Sequence, residues 1–486
     1  MRTLMLHRAR TSIATSPVAI TPLLIALCCS AGVADAADAT ANFTAPNGHR
    51  VHVVVRAPRG LVTSGACTPP ACYAMRAINR GELPDDYFPA AVAAAQAAHA
   101  TRLVVPRATY DFKGPRVMAD SSNDKICNEG HYWNCGAHWT IGVYPTSPRG
   151  AQSSSPIGAT ASVTDLDIDL SGSRLNFASP STGIWIVNAA RLRLENFSID
   201  YPLLQIASLG TIVPDPTNPG HQALVLDEAY SAIDRLTGGA VQIQAVDPWD
   251  DSTDPAIAPG RFDMAATNEF ETYFIFGASQ PTYLGKTRAG GQTFSCATCK
   301  FRNSAAQPDC SMFKGCANFD GFRSGERVIV RHYTYNGFAL VVNWSNDIDL
   351  ERIHLLSGPG MGIAVQNAAG YHGFRLADSS IVRGAGRVIS TASDAINISA
   401  FAGDVIVENN EIAYQGDDGI NVSPPVARYV VNHNSFHDNR GQGAQITAPY
   451  GDITGNTFSR NSMGAINLGT GGTGAGGVLV ESNTVN

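Results

Sequence analysis

Residues 407–458 read VENNEIAYQGDDGINVSPPVARYVVNHNSFHDNRGQGAQITAPYGDITGNTF. Three six-residue strings recur in this stretch: VENNEI at 407–412, VNHNSF at 431–436 and ITGNTF at 453–458. Working outward, LERIHL (350–355) and LADSSI (376–381) precede them, VESNTV (480–485) follows, and LENFSI (194–199) is an earlier copy. The later copies start at 350, 376, 407, 431, 453 and 480, so the offsets are 26, 31, 24, 22 and 27 residues. A drifting period of this size, with apolar ends and polar middles, is the mark of a solenoid coil. Each turn of chain lays a short strand on the preceding turn about 4.8 Å away, so like must stack on like. Asn410, Asn434, Asn456 and Asn483 share one column, as a ladder of amides at a bend requires. Leucine-rich repeats have similar periods, but their LxxLxL frame is missing, and propeller blades need about 40 residues. The expected fold is all-β, a right-handed parallel β-helix.

Upstream, DDYFPAAVAAAQAAHA (85–100) opens with acidic residues and is rich in Ala, which predicts a helix. The strand-like LVVPRATYDF (103–112) follows it, an order suited to a helix that plugs the open end of a solenoid. Between 201 and 325 the repeat disappears, and β-like pieces such as ALVLDEAY, AVQIQAV and ETYFIFGA alternate with Pro/Asp-rich linkers. The expected organisation is a signal peptide (1–36), an N-terminal cap with the first strands (37–115) and early coils (116–202). A β-rich insertion with a cysteine cluster (203–325) and the main coils (326–486) complete it.

The first forty residues carry Arg2, His7, Arg8 and Arg10, a mostly apolar run from 17 to 29, and Ala34-Asp35-Ala36 as a small-x-small cleavage pattern. That run is shorter than the roughly 20 apolar residues a bilayer span needs. Export follows as the expectation, to the periplasm or the medium, with no membrane span. Eight cysteines remain after position 36: Cys67, Cys72, Cys127, Cys135, Cys296, Cys299, Cys310 and Cys316. An even number at short spacings in an exported chain predicts disulfides; the CxxC at 296–299 makes zinc the competing idea. A net charge of −7 argues against nucleic acid as a partner, because that would favour a basic face.

A second strand also recurs. DAINIS (394–399) and DGINVS (418–423) match at four of six positions, and 418 − 394 = 24 is one coil. Asp394 and Asp418 are therefore expected on one face of adjacent rungs. A bend at Gly416 or Asp417 would splay Asp417 beside them. The equivalent strands, GMGIAVQN, GAQITA and GAINLG, lack the Asp. Carboxylates this close cannot all stay ionised, so one keeps its proton. Glycoside hydrolysis needs such a pair, an acid for the leaving oxygen and a base for water. Asp394 and Asp418 are read as the base pair and Asp417 as the acid, with a diagonal across one rung supplying the roughly 6.5–9.5 Å of an inverting enzyme. Stacked Asp residues can also bind Ca²⁺, which leaves a non-catalytic calcium-binding adhesin as the second class. His332, Tyr335 and Trp344 are candidate sugar platforms, because aromatic faces suit apolar sugar faces.

The run at 388–422, VISTASDAINISAFAGDVIVENNEIAYQGDDGINV, resembles the catalytic stretch of the pectin-lyase-like β-helix glycoside hydrolases, with an Asp followed one coil later by an Asp-Asp pair. Residues 328–367, with their SGPGMG turn, are most similar to the exo-acting α-1,3-galactosidase family. The resemblance implies inverting hydrolysis of an α-galactoside or related glycan by Asp394, Asp417 and Asp418, with carbohydrate as partner and no cofactor. Polygalacturonases are the nearest rival, but Gly441-Gln442-Gly443 stands where they carry Gly-His-Gly, and no Arg-x-Lys follows. Polysaccharide lyases need a strong base, for which the neighbouring coils offer mainly Arg383, Arg387 and Arg428.

Overall fold

The structure, a computed structural model, describes residues 37–44, 50–59, 67, 70–114, 137–142, 162–230, 243, 245–251, 260–263, 273–274, 281–296, 319–333, 337–368, 373–469 and 477–486. The expected signal segment, Tyr335 and Cys127, Cys135, Cys299, Cys310 and Cys316 lie outside these residues. Cys67 and Cys72 form a disulfide, and Cys296 is also disulfide-bonded.

The chain is a parallel β-helix. One of its sheets carries the six-residue strings, and their alignment is the strand register: Leu194, Leu350, Leu376, Val407, Val431, Ile453 and Val480 stack rung on rung. From Leu194 to Ile453 these side chains are fully buried in the core. Each string is bent in the middle rather than straight. Residues Asn409, His433 and Ser482, just before the ladder asparagines, take φ values of 56°, 54° and 57°, the left-handed conformation that turns the strand. The asparagine after each bend satisfies the backbone that the turn exposes. Asn410, Asn434 and Asn456 each donate Nδ2 to the next amide oxygen at 2.9–3.0 Å. The same oxygens accept the backbone N–H of the preceding rung.

The second parallel sheet runs Ala137–Ile141, Thr182–Val187, Phe338–Asn343, Met361–Ala368, Ile396–Phe401, Ile420–Val422, Gln442–Ile446 and Gly464–Leu468. Strands from either side of the insertion pair directly, Leu340 beside Ile184 and Leu350 beside Leu194. The solenoid is thus continuous in space although interrupted in sequence. Strands within 207–331 form a separate antiparallel sheet whose apolar face buries Ile212, Leu224, Val246, Phe294, Val328 and Val330.

The helix Pro84–Ala97 has Pro at its start and Asp85 and Asp86 in the first turn, where they suit the helix dipole. It packs Phe88 edge-on to Tyr110, Phe112 and Trp139 beside the first coils. A hairpin, Ala39–Thr44 with Arg50–Val55, packs Val53 and Val55 against Ile406 and Val430 on the outside of the coils. Among the described residues no helix is long and apolar enough to cross a membrane.

Candidate active site

Three turns stack where the chain enters the second sheet. Gly358, Thr391 and Gln415 form parallel bridges from coil to coil, and Asp394 and Asp417-Asp418 follow the last two. Gln415 is fully buried; its Oε1 accepts Ser390 Oγ at 2.9 Å and its Nε2 donates to the Ile381 carbonyl at 2.8 Å. The strands beyond are in the register that DAINIS and DGINVS predict, Ile396 beside Ile420 and Asn397 beside Asn421.

This arrangement brings Asp394, Asp417 and Asp418 together, with one carboxylate oxygen of each within 4.8 Å of the others. Asp394 and Asp418 are 4% and 5% exposed, whereas the Asp417 side chain is 27% exposed. Backbone donors tie the rungs. The Asp418 N–H donates to Asp394 Oδ1 at 3.2 Å, and the Gln442 N–H donates to Asp418 Oδ1 at 2.6 Å. Asn397 Nδ2 donates to Asp394 Oδ2 at 2.8 Å. A Cβ on Gly441 would stand 2.3 Å from Asp418 Oδ1, so glycine is what leaves room for that carboxylate.

Burial is the main cause that raises the pKa of Asp394 well above the usual carboxylate range, followed by the charges of Asp417 and Asp418. Asp418 is pushed up to about 7, again by burial first and then by Asp417; the Gln442 N–H and Arg440 oppose the shift. Burial and like charge thus favour a proton on the Asp394–Asp418 pair. An oxygen of each acid comes within 4.8 Å of the others because the acids sit on stacked turns.

Of the aromatic candidates, His332 and Trp344 are among the described residues. His332 is 1% exposed and shares a 2.7 Å hydrogen bond with Ser208 Oγ, so its ring offers no open face. Trp344 is half-buried against the cluster of Trp185, Val341 and Ala364. Asn343 is level with Gln366 and Ser399, which puts Trp344 level with residue 400. The three nearby arginines are engaged: Arg387 with Asp200, Arg428 with Asp404, and Arg383 over the Tyr414 ring. His433 belongs to the ladder bend, in a roughly 620 Å³ groove with His354 and Glu411.

A column of amides that the sequence reading passed over begins beside Asp394 at Asn397. Asn397, Asn421, Gln445 and Asn467 form one column on consecutive strands. All four are partly or fully exposed on the outer face of the sheet. On the other side of Asn397 the same column continues as Ala364, Val341 and Trp185, which are buried. The repeat offset could have found the amides, since 397, 421 and 445 are 24 residues apart. Beneath the acids lie Arg331, Arg440 and Asp247, all 4% exposed or less.

Fold and comparison agree on the class, a right-handed parallel β-helix protein. Residues 328–485 match the family model described as a right-handed β-helix region. Among solved structures, the chain is similar to a mutant tailspike protein of E. coli bacteriophage HK620 in complex with a pentasaccharide. That match has 9% identity and a TM-score of 0.22, over 84% of this chain and 63% of that one. The chain therefore spans less than two thirds of the tailspike chain it matches. It is also similar to the A-module of the Azotobacter vinelandii mannuronan C-5 epimerase AlgE6, at 9% identity and a TM-score of 0.15, over 83% of this chain and 96% of that one. No curated protein matches in sequence.

Proposed function

We propose that this β-helix protein hydrolyses glycosidic bonds, acting on an α-linked galactoside or a related glycan. The observation that carries the reading is the set of three carboxylates, an oxygen of each within 4.8 Å of the others, opening onto an exposed column of amides. Asp394 and Asp418 act as one titrating unit. In the free site one member holds a proton; during the reaction the pair takes a proton from the attacking water. Asp417, the most exposed of the three, reaches the glycosidic oxygen. When a sugar occupies the site, the proton of the pair is handed to Asp417. The proton then passes to the leaving oxygen as water adds at the anomeric carbon. The amides of Asn397, Asn421 and Gln445 supply both donors and acceptors for sugar hydroxyls.

The test is hydrolysis of a panel of nitrophenyl glycosides and galactose-containing oligosaccharides, with the anomer of the first product followed by NMR. Turnover that survives EDTA and vanishes in Asp417→Asn supports the reading, and an inverted anomer supports the α-galactosidase-like form. The same three oxygens are also a cation set, which keeps a calcium-binding adhesin as the second reading. Ca²⁺ takes six to eight oxygens, so that reading predicts a Ca²⁺-dependent rise in thermal stability and no turnover on any glycan.

A further inference from the structure

The acids are held from below by the insertion. Strand Ala245–Asp250 pairs with Arg327–Arg331 in the antiparallel sheet, Asp247 lying beside Ile329. Asp247 is completely buried, and its two oxygens go to two different arginines. Oδ2 meets Arg331 Nη2 at 3.0 Å, and Oδ1 accepts Arg440 Nε at 2.8 Å. Arg331 is 1% exposed and Arg440 4%.

Both arginines continue to the acid-bearing turns. Arg331 Nη1 donates to the carbonyls of Ala392, at 3.0 Å, and Gly416, at 2.7 Å. Those carbonyls come just before Asp394 and Asp417, so one guanidinium spans the two turns whose spacing sets the site. Arg440 Nη1 stands 3.8 Å from Asp417 Oδ1. Ala392, Gly416 and Arg440 are 24 residues apart, one position on three consecutive coils. Gly416 permits the close stacking, since a Cβ there would lie 2.3 Å from the Ala392 carbonyl oxygen.

We infer that Asp247, a residue of the insertion, is a positioning residue for the acids, fixing Arg331 and Arg440 so that these set the separation of the Asp394 and Asp417 turns. The inference rests on the glycosidase reading and adds that the insertion completes the active site. A buried carboxylate shared by two buried guanidiniums is costly to break, because the partners left behind stay charged and desolvated. It has one low-energy geometry, which is what a positioning device needs.

The experiment compares Asp247→Asn with Asp417→Asn in the full chain, on the glycan found active in the panel. Asp247→Asn is expected to lose roughly 10²-fold in kcat, the scale of a 1 Å misplacement, with KM little changed. Its pH profile should move to lower pH, because removing a negative charge beneath the acids favours their ionised forms. A folded Asp247→Asn protein with the parent kcat and pH profile overturns the inference. Should that variant fail to fold, Arg440→Gln and Arg440→Lys decide. Loss of kcat in the Gln variant with partial recovery in the Lys variant supports the device, and equal activity in both and the parent overturns it. Full activity in Asp417→Asn would sink the glycosidase reading instead. The position of the Asp417 carboxylate in a crystal structure of Asp247→Asn, displaced or unmoved, then judges the inference on its own.

Discussion

Asp418 is held in two ways that oppose each other: the Gln442 N–H favours its charge, while burial and Asp417 disfavour it more. Its folded pKa, about 7, lies above the ordinary carboxylate value near 3.9. A raised carboxyl pKa means the folded state binds the proton more tightly than the unfolded state. Stability from this group therefore falls as pH rises from about 4 to 7, and the cost persists above 7. Asp418→Asn is expected to be inactive yet to gain thermal stability over the parent at pH 8, with the difference shrinking toward pH 4. Melting curves at both pH values check this, and a constant difference would contradict it. Gly441→Ala tests the same carboxylate by steric means. Its Cβ meets Asp418 Oδ1 and the backbone of residues 417–418, so turnover is expected to drop at least roughly tenfold, in line with the sensitivity of catalysis to small displacements. Gly441 itself was legible only as a departure from a Gly-His-Gly pattern; that it makes room for a carboxylate needed coordinates.

At the level of the element, the bent strand is the unit that repeats. From the string at 407 onward, an apolar residue, a left-handed bend and an amide recur once per coil, and each amide bonds to its neighbours in the ladder. Asn434 donates to the Val407 carbonyl and to Asn456, and accepts from the Asn410 N–H. Asn434→Ala leaves these buried partners unmatched and is expected to cost about 1–3 kcal/mol, read as a lower denaturation midpoint with little effect on kcat. The ladder was visible in the alignment because identical side chains at one column have no other reason to recur. A second ladder at the next bend, Gln415, Asn439 and Asn461, was not read. Its first member is a glutamine, and the strands around it are only three residues long.

For the molecule as a whole, the outer face of the second sheet changes character at the acids. On one side Ala364, Val341 and Trp185 are covered; on the other the amides of Asn421, Gln445 and Asn467 stand open. Under the proposed function, a glycan seated at Asp417 would extend toward the later coils. Gln445→Ala is expected to raise KM several-fold for oligosaccharides, the scale of one lost hydrogen bond at about 0.5–1.5 kcal/mol, and to leave a nitrophenyl monosaccharide unaffected. Steady-state kinetics on a ladder of chain lengths checks it; an equal effect on the short substrate would contradict it.

Coil period, strand register, the amide ladder and the pairing of Asp394 with Asp418 were all determined by the sequence alone. In a solenoid a contact lies one period away, so spatial neighbours are also neighbours in a repeat. Only the tertiary structure decided that His332 is buried against Ser208 and that Asp247 reaches Arg331 and Arg440 beneath the acids. These contacts join the coils to an insertion that follows no period, and position along the chain carries no record of where such a sheet folds back.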